Sequence, residues 1–298
     1  LLLQPRAGGP ECDRYEVVTG DRGGLAIGSL WNHERMQMLR RELGDGIATE
    51  ACRACTLRNG ETLVSALESY AVTPLQRENL ERNREEQEHG ATCLSSHPIS
   101  ISADLWYDCN FQCVLCGVRR EHTALHRSEI GELFGFYAER AAHLHVSGGE
   151  PLLHPALLEF LGQPKKAPGA LSMTTNGARL STAILTQLLA FHFVNLHISL
   201  DSFDPTVFSA LRAGGSFREV LAAVRRAVDF KAKAQAGRWY VALNVVPVAM
   251  NIAEMPQYLR RAADLGVDAV DVCRLEGDHP GYDFCRYPDL LRQEDRRA

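Results

Sequence analysis

Three cysteines stand in the run Cys109-Asn110-Phe111-Gln112-Cys113-Val114-Leu115-Cys116, directly after the strand-like segment Ile99-Ser100-Ile101-Ser102-Ala103-Asp104-Leu105-Trp106. A fold that accepts this run must present three thiols from one short loop to a common centre. Three thiolates suit three corners of a cubane iron–sulfur cluster, whereas an electron-transfer cluster takes four. The fourth iron then stays open to a ligand, which suits a catalyst better than an electron carrier. A closed zinc site is the other reading, but zinc takes four ligands and no fourth Cys or His follows at a short interval. His122 and His126 are the nearest candidates.

From Ser100 onward, strand-like and helix-like runs alternate. Strands are expected around 99–106, 143–146, 171–174, 193–200, 240–246 and 267–272. Helices are expected after Ser128, with Ile130, Leu133, Phe134 and Tyr137 at helical spacing, and after Ser181 and Asp204-Pro205. Two more are expected from Phe217, with Val220, Leu221, Val224 and Val228 on one face, and from Pro256, with Leu259 and Ala263 facing inward and Gly266 as the stop. Such alternation predicts an α/β fold with a parallel sheet. Ligands of parallel sheets gather at the carboxyl ends of the strands. The cysteine loop, Gly148-Gly149-Glu150-Pro151, Thr174-Thr175-Asn176-Gly177 and Ser199-Leu200-Asp201-Ser202 all fall there. Each alone reads as an ordinary turn; the four in order predict one functional rim.

The ordered set of CxxxCxxC, GGEP, TTNG and SLDS resembles the radical S-adenosylmethionine (SAM) superfamily over residues 97–276. The resemblance implies a partial (βα)6 TIM-like barrel, with Cys109, Cys113 and Cys116 holding a 4Fe-4S cluster. It further implies that Gly148, Gly149 and Glu150 hold the SAM amino group, that Asn176 contacts the ribose side, and that Arg212 pairs with the SAM carboxylate. Ser199 and Asp201 share one strand face and by resemblance suit the ribose and methionine carboxylate; Asn244 would face the same site from the fifth strand. The implied activity is reductive cleavage of SAM to a 5′-deoxyadenosyl radical that abstracts hydrogen from a substrate. The implied electron donor is a flavodoxin or ferredoxin. No catalytic side chain beyond these cofactor contacts is identified. The pattern departs at Leu115, where many members carry an aromatic residue beside adenine.

Residues 1–96 differ in character. Gly28-Ser29-Leu30-Trp31-Asn32, an amphipathic helix over 32–43, and Cys52-Arg53-Ala54-Cys55 resemble the auxiliary-cluster regions called twitch or SPASM domains. The resemblance makes Cys12, Cys52 and Cys55 ligands of a second iron–sulfur cluster; from spacing alone, zinc is equally open. The pattern's earlier cysteine would precede Leu1, which predicts a chain truncated at its N-terminus. Residues 77–89 read as a charged helical connector, residues 277–298 as a C-terminal extension, and Cys93, Cys273 and Cys285 as ordinary buried or unpaired thiols.

With 298 residues, 45% of them apolar and 23% charged, the chain has room for one large domain and a smaller one. A net charge of -5 disfavours a nucleic-acid partner. The longest uncharged stretch, 180–200, carries Ser, Thr, Gln, His and Asn and reads as a helix followed by a strand, so no membrane span is expected. The apolar run at Leu1 is too short for a signal peptide. Nine cysteines grouped by spacing argue for metal ligation in a reducing compartment, hence the cytoplasm. By analogy with auxiliary-cluster enzymes, the expected substrate is a peptide or protein side chain. The alternatives are a small-molecule radical oxidoreductase or methyltransferase, and a non-catalytic zinc- or cluster-binding interaction protein.

Overall fold

The computed structural model describes residues 3–4, 16–17, 31–47, 67–116, 130–131, 133–162, 169–275 and 282. Six strands build its main sheet: β1 (Ser100–Asp104), β2 (His143–Ser147), β3 (Ala170–Thr175), β4 (Phe193–Ser199), β5 (Trp239–Val245) and β6 (Ala269–Val272). They pair in chain order and all in parallel. β1 and β6 do not pair with each other, so the array stays open, as expected of a partial (βα)6 barrel.

The two faces of the sheet are chemically opposite. Period-two alternation sends Val146, Leu196, Ile198, Leu243 and Val245 to the convex side, where all are buried. Each such side chain contributes roughly 1.5–3 kcal/mol on leaving water. Helices α3 (Pro155–Gly162), α4 (Thr182–Leu188), α5 (Pro205–Leu211), α6 (Phe217–Lys233) and α7 (Met255–Leu265) follow successive strands. Their starts are set by side-chain caps that satisfy orphan backbone N–H groups. Ser181 caps α4, Asp204 caps α5 through Thr206 and Val207, and Ser216 caps α6.

The buried stripe of α6 is Val220, Ala223, Val224 and Ala227, with Leu221 and Val228 half-buried at its margins. On α7 the expected face is displaced by one residue. Leu259 and Ala263 are exposed, and Tyr258 and Ala262 are buried instead. The Tyr258 hydroxyl donates to the Leu200 carbonyl at 2.6 Å. Gly266 ends α7 as expected, with φ of 78° in the left-handed region. Ser128 lies outside the described residues; the run after it forms a π-helical turn, Leu133–Tyr137, with Ile130, Leu133 and Phe134 buried.

Two earlier helices, α1 (Glu34–Gly44) and α2 (Pro74–Glu88), precede the sheet. No residue of α1 is fully buried, so it is tied by polar contacts rather than by an apolar face. Asn32 brackets Leu94 with bonds of 2.6 and 2.7 Å, and Arg40 donates to the carbonyls of Trp31 and Thr92. α2 begins with a capping box between Thr73 and Gln76. Its Asn79 holds the His97 N–H at 2.7 Å just before β1. Cys93, expected as a buried or unpaired thiol, is free and exposed, and Cys273 is half-buried; Cys285 lies outside the described residues. No helix among the described residues is long and apolar enough to cross a membrane.

The concave face carries His143, whose pKa burial lowers from 6.5 to about 4, with His145 and His197 adding to the shift. The unfolded chain therefore takes up a proton at this site before the folded chain does. Its contribution is full above about pH 6.5 and is lost as pH falls toward 4. Acid titration of the parent should show a loss approaching about 3 kcal/mol from this residue, and His143→Gln should flatten the slope in that window. If the unfolding free energies of parent and variant, read from denaturant melts, fall by the same amount between pH 7 and pH 4.5, the assignment is rejected.

Candidate functional site

The loop after β1 is pinned before its thiols are presented. Leu105 and Phe111 are buried within it. The Leu105 N–H donates to Ser147 O at 3.2 Å. Gln112–Cys113 then pairs antiparallel with Arg212–Ala213, and the Val114 N–H reaches Leu211 O at 3.0 Å. This two-residue ladder fastens the middle cysteine to the chain that follows α5. Cys116 is exposed, whereas Cys109 and Cys113 are half-buried.

Beside the loop, the turn after β2 lies against its backbone. Gly148 has φ of 117°, and a Cβ there would strike Trp106 O. A Cβ on Gly149 would meet Asp108 O and stand 2.7 Å from the Tyr107 carbonyl carbon. Only glycine permits the bonds that follow: Gly149 N–H to Trp106 O at 2.7 Å and Glu150 N–H to Asp108 O at 2.9 Å. The Glu150 carboxylate points inward and is wholly buried. It accepts from Leu152 N–H (3.0 Å), Thr175 Oγ1 (2.7 Å) and Asn176 N–H (2.7 Å). Burial raises its pKa and these three donors oppose the rise.

Asn176, at the end of β3, directs Nδ2 to Asn110 Oδ1 at 2.8 Å and to Cys109 Sγ at 3.7 Å. Asp201, beyond β4, accepts from Arg212 Nε at 2.7 Å and from Val246 N–H at 2.9 Å. Arg212 extends Nη1 to Cys113 Sγ at 3.8 Å. Asp201 is buried, and Arg212 keeps 13% of its side chain exposed. Burial disfavours the Arg212 charge, yet Asp201 and Cys113 beside it carry its pKa above the ordinary value. Burial also pushes the Cys109 and Cys113 thiols up, opposed by the Phe111 N–H and Asn176 at the first and by Arg212 at the second.

A cavity of about 210 Å³ joins these parts. Its lining includes all three loop cysteines with Gly148, Gly149, Asn176, Ser199, Asp201 and Arg212. Nine of the ten sequence-based candidates outside the N-terminal segment and Asn244 thus share one wall; Glu150 lies behind it, and Cys12, Cys52, Cys55, His122 and His126 lie outside the described residues. Asn244 pairs in register with Ser199, and its buried Oδ1 has no partner. Thr174, from the expected Thr174-Thr175-Asn176-Gly177 turn, also lines the cavity, as do Tyr107 and Val246, which were not anticipated. Tyr107 places an aromatic ring near Leu115, and its position two residues before the first loop cysteine was its only signal.

The donor set fits a cluster bound at three corners. Among the described residues, no three His, Cys, Asp or Glu side chains close tightly enough to hold a single metal ion. The thiols instead border a shared space, beside a glycine turn that lets a ligand approach backbone and an arginine that can meet a carboxylate.

Residues 105–234 match the model of the radical SAM superfamily. The mycofactocin maturase MftC of Mycobacterium tuberculosis is 27% identical over 205 residues, covering 67% of this chain and 50% of the relative. The GTP 3′,8-cyclase of Pseudomonas entomophila is 34% identical over 134 residues, covering 41% of this chain and 40% of that protein. The chain thus spans about half the length of these sequence relatives or less. Among solved structures, SuiB of Streptococcus suis superposes with a TM-score of 0.52 at 14% identity, over 87% of this chain and 60% of SuiB. SuiB has also been solved bound to S-adenosylmethionine and to the precursor peptide SuiA. The likeness to SuiB supports the fold, and the cysteine loop, the glycine turn and the Asp201–Arg212 wall all lie within residues 105–234, the segment that matches the radical SAM superfamily.

Proposed function

We propose that this chain is a radical SAM enzyme that acts on a peptide or protein side chain. The observation that carries the reading is the convergence of Cys109, Cys113 and Cys116 on a cavity walled by Gly148, Gly149, Asn176, Ser199, Asp201 and Arg212. When bound, a 4Fe-4S cluster and SAM supply one-electron cleavage of a carbon–sulfur bond and a 5′-deoxyadenosyl radical. The protein's own work is to hold and orient. The three cysteines hold the cluster, and the Gly148–Gly149 backbone offers close approach for the SAM amino group. Arg212, oriented by Asp201, meets a carboxylate; Ser199 and Asn176 supply polar contacts on the ribose side. Glu150 acts from behind by fixing the turn.

The maturase among the relatives and the peptide-bound form of SuiB support a peptide as substrate. Within the same reading, residues 97–276 are the catalytic core, and Cys12, Cys52 and Cys55 belong to a twitch- or SPASM-like region with a second cluster. A cytoplasmic flavodoxin or ferredoxin provides the electron.

Replacing Cys109, Cys113 and Cys116 together with Ala, followed by anaerobic reconstitution, should abolish 5′-deoxyadenosine formation under dithionite and remove one cluster's worth of iron. Iron that remains and is lost only with Cys52 and Cys55 marks the auxiliary site; undiminished cleavage by the triple variant sinks the reading.

Roles at the wall and behind it separate by a second pair of measurements. Arg212→Gln should retain iron and weaken SAM binding by one to two orders of magnitude, the equivalent of one charge-assisted hydrogen bond of roughly 1.5–3 kcal/mol. Glu150→Ala strands three buried donors and should lower stability by on the order of 3 kcal/mol, visible in denaturant melts without SAM. Calorimetry showing parent-like SAM affinity in Arg212→Gln would remove Arg212 from the cofactor wall.

A further inference from the structure

The concave face of the sheet is as polar as its convex face is apolar. Strand alternation and register put Asp104, Ser147, Thr174 and His197 on one level of that face. Their bonds form a belt across the strands. Ser147 Oγ donates to Asp104, Thr174 Oγ1 lies 3.5 Å from His145 Nε2, and His143 Nε2 lies 2.7 Å from Ser172 Oγ. His197 Nδ1 reaches Asp271 Oδ2 at 2.7 Å. β5 lies between those last two strands, and it presents only Ala242 opposite His197, which leaves the imidazole room to cross.

This belt continues the cysteine cavity, because Thr174 and Ser199 belong to both. No Lys or Arg occupies the concave positions of the six strands. Burial, which lowers the pKa of both His143 and His145, keeps these imidazoles neutral near pH 7. The carboxylates of the face are Asp104, bonded by Ser147, and Asp271, bonded by His197. Asp271 keeps 40% of its side chain exposed, and its described hydrogen bond engages Oδ2, leaving Oδ1 to a ligand. Beside it in register, Asn244 Oδ1 is a buried acceptor without a donor. A carboxylate oxygen beside an unpaired amide oxygen, on a face without Lys or Arg, suits a ligand that brings several N–H donors and a positive charge.

We infer that the concave face of the sheet receives a positively charged side chain of the substrate, an amine or guanidinium, with Asp271 as its partner. This rests on the peptide reading above and names the chemistry that selects the peptide. His197 is a positioning residue: its bond to Oδ2 leaves Oδ1 of Asp271 to the ligand.

The test uses the full chain, anaerobically reconstituted and saturated with SAM, so that any acceptor SAM occupies is already filled. Fluorescein-labelled pools of randomised decapeptides, each with one fixed lysine, arginine, norleucine or glutamate, are titrated by anisotropy. The lysine and arginine pools should bind at least tenfold more tightly than the norleucine pool, with glutamate weakest. Raising salt should narrow the gap, since a half-exposed carboxylate is screened. Asp271→Asn should erase the preference; if that variant does not fold, the salt series in the parent carries the comparison. Equal binding of the lysine and norleucine pools, no binding by any pool, or a preference that survives Asp271→Asn overturns the inference. SAM cleavage is measured on the same parent sample. A charge preference without cleavage counts against the proposed enzyme and leaves the site standing, whereas cleavage without a preference does the reverse.

Discussion

The site depends first on a carboxylate that does not touch its cavity. Glu150 has no exposed surface, and its two oxygens gather donors from the turn after β2 and from the end of β3. A buried carboxylate is tolerated only when its lone pairs are used, and here their use fixes geometry. The Glu150 backbone is bonded to Asp108 just before the first loop cysteine, and Asn176, whose N–H it binds, reaches on to Cys109. One charge therefore couples two strand ends to the cysteine loop. The adjoining glycines complete the coupling, since a side chain on either would push the loop away.

A second brace works from the opposite wall. Asp201 is held by Val246 N–H, and its backbone carbonyl accepts from the buried Asn251, which also binds the Val246 carbonyl. Thus fixed, Asp201 orients Arg212, and Arg212 sits against Cys113 through both its side chain and the short ladder. Breaking a buried pair strands its partner charge, which is costlier than never having placed it. Arg212 is therefore preorganised, and little ordering remains when an anion arrives.

Order and spacing made the strands and the rim legible. Each of the six expected strands is present within two or three residues of its expected bounds, and the caps at Ser181 and Asp204 are where short polar side chains precede apolar runs. Orientation was less legible. Glu150 and Asp201 both read as carboxylates aimed at a ligand, yet each is engaged by protein donors, because a strand end also has orphan N–H groups to satisfy. Periodicity alone put the apolar face of α7 on Leu259 and Ala263. The face that packs is Met255, Tyr258, Ala262 and Leu265, equally apolar and at helical spacing, and the Tyr258 hydroxyl adds a bond to Leu200 O across 58 residues that no local pattern announces. Tyr107 was missed for a related reason: a loop residue has no period that reveals its direction.

The two faces of the sheet also explain why an open barrel can stay open. A convex face of buried aliphatic side chains gives the strands their stability, which frees the concave face from having to supply a core. Polar side chains there are affordable because each holds another: Asp104 with Ser147, His143 with Ser172, His197 with Asp271. Closing the gap between β1 and β6 would require more strands or apolar filling, and either would bury these groups further. The same division that secures the fold thus keeps a polar face beside the cysteine cavity. Chemistry at the rim and selection of what reaches it are then carried by different layers of one sheet, joined at Thr174 and Ser199.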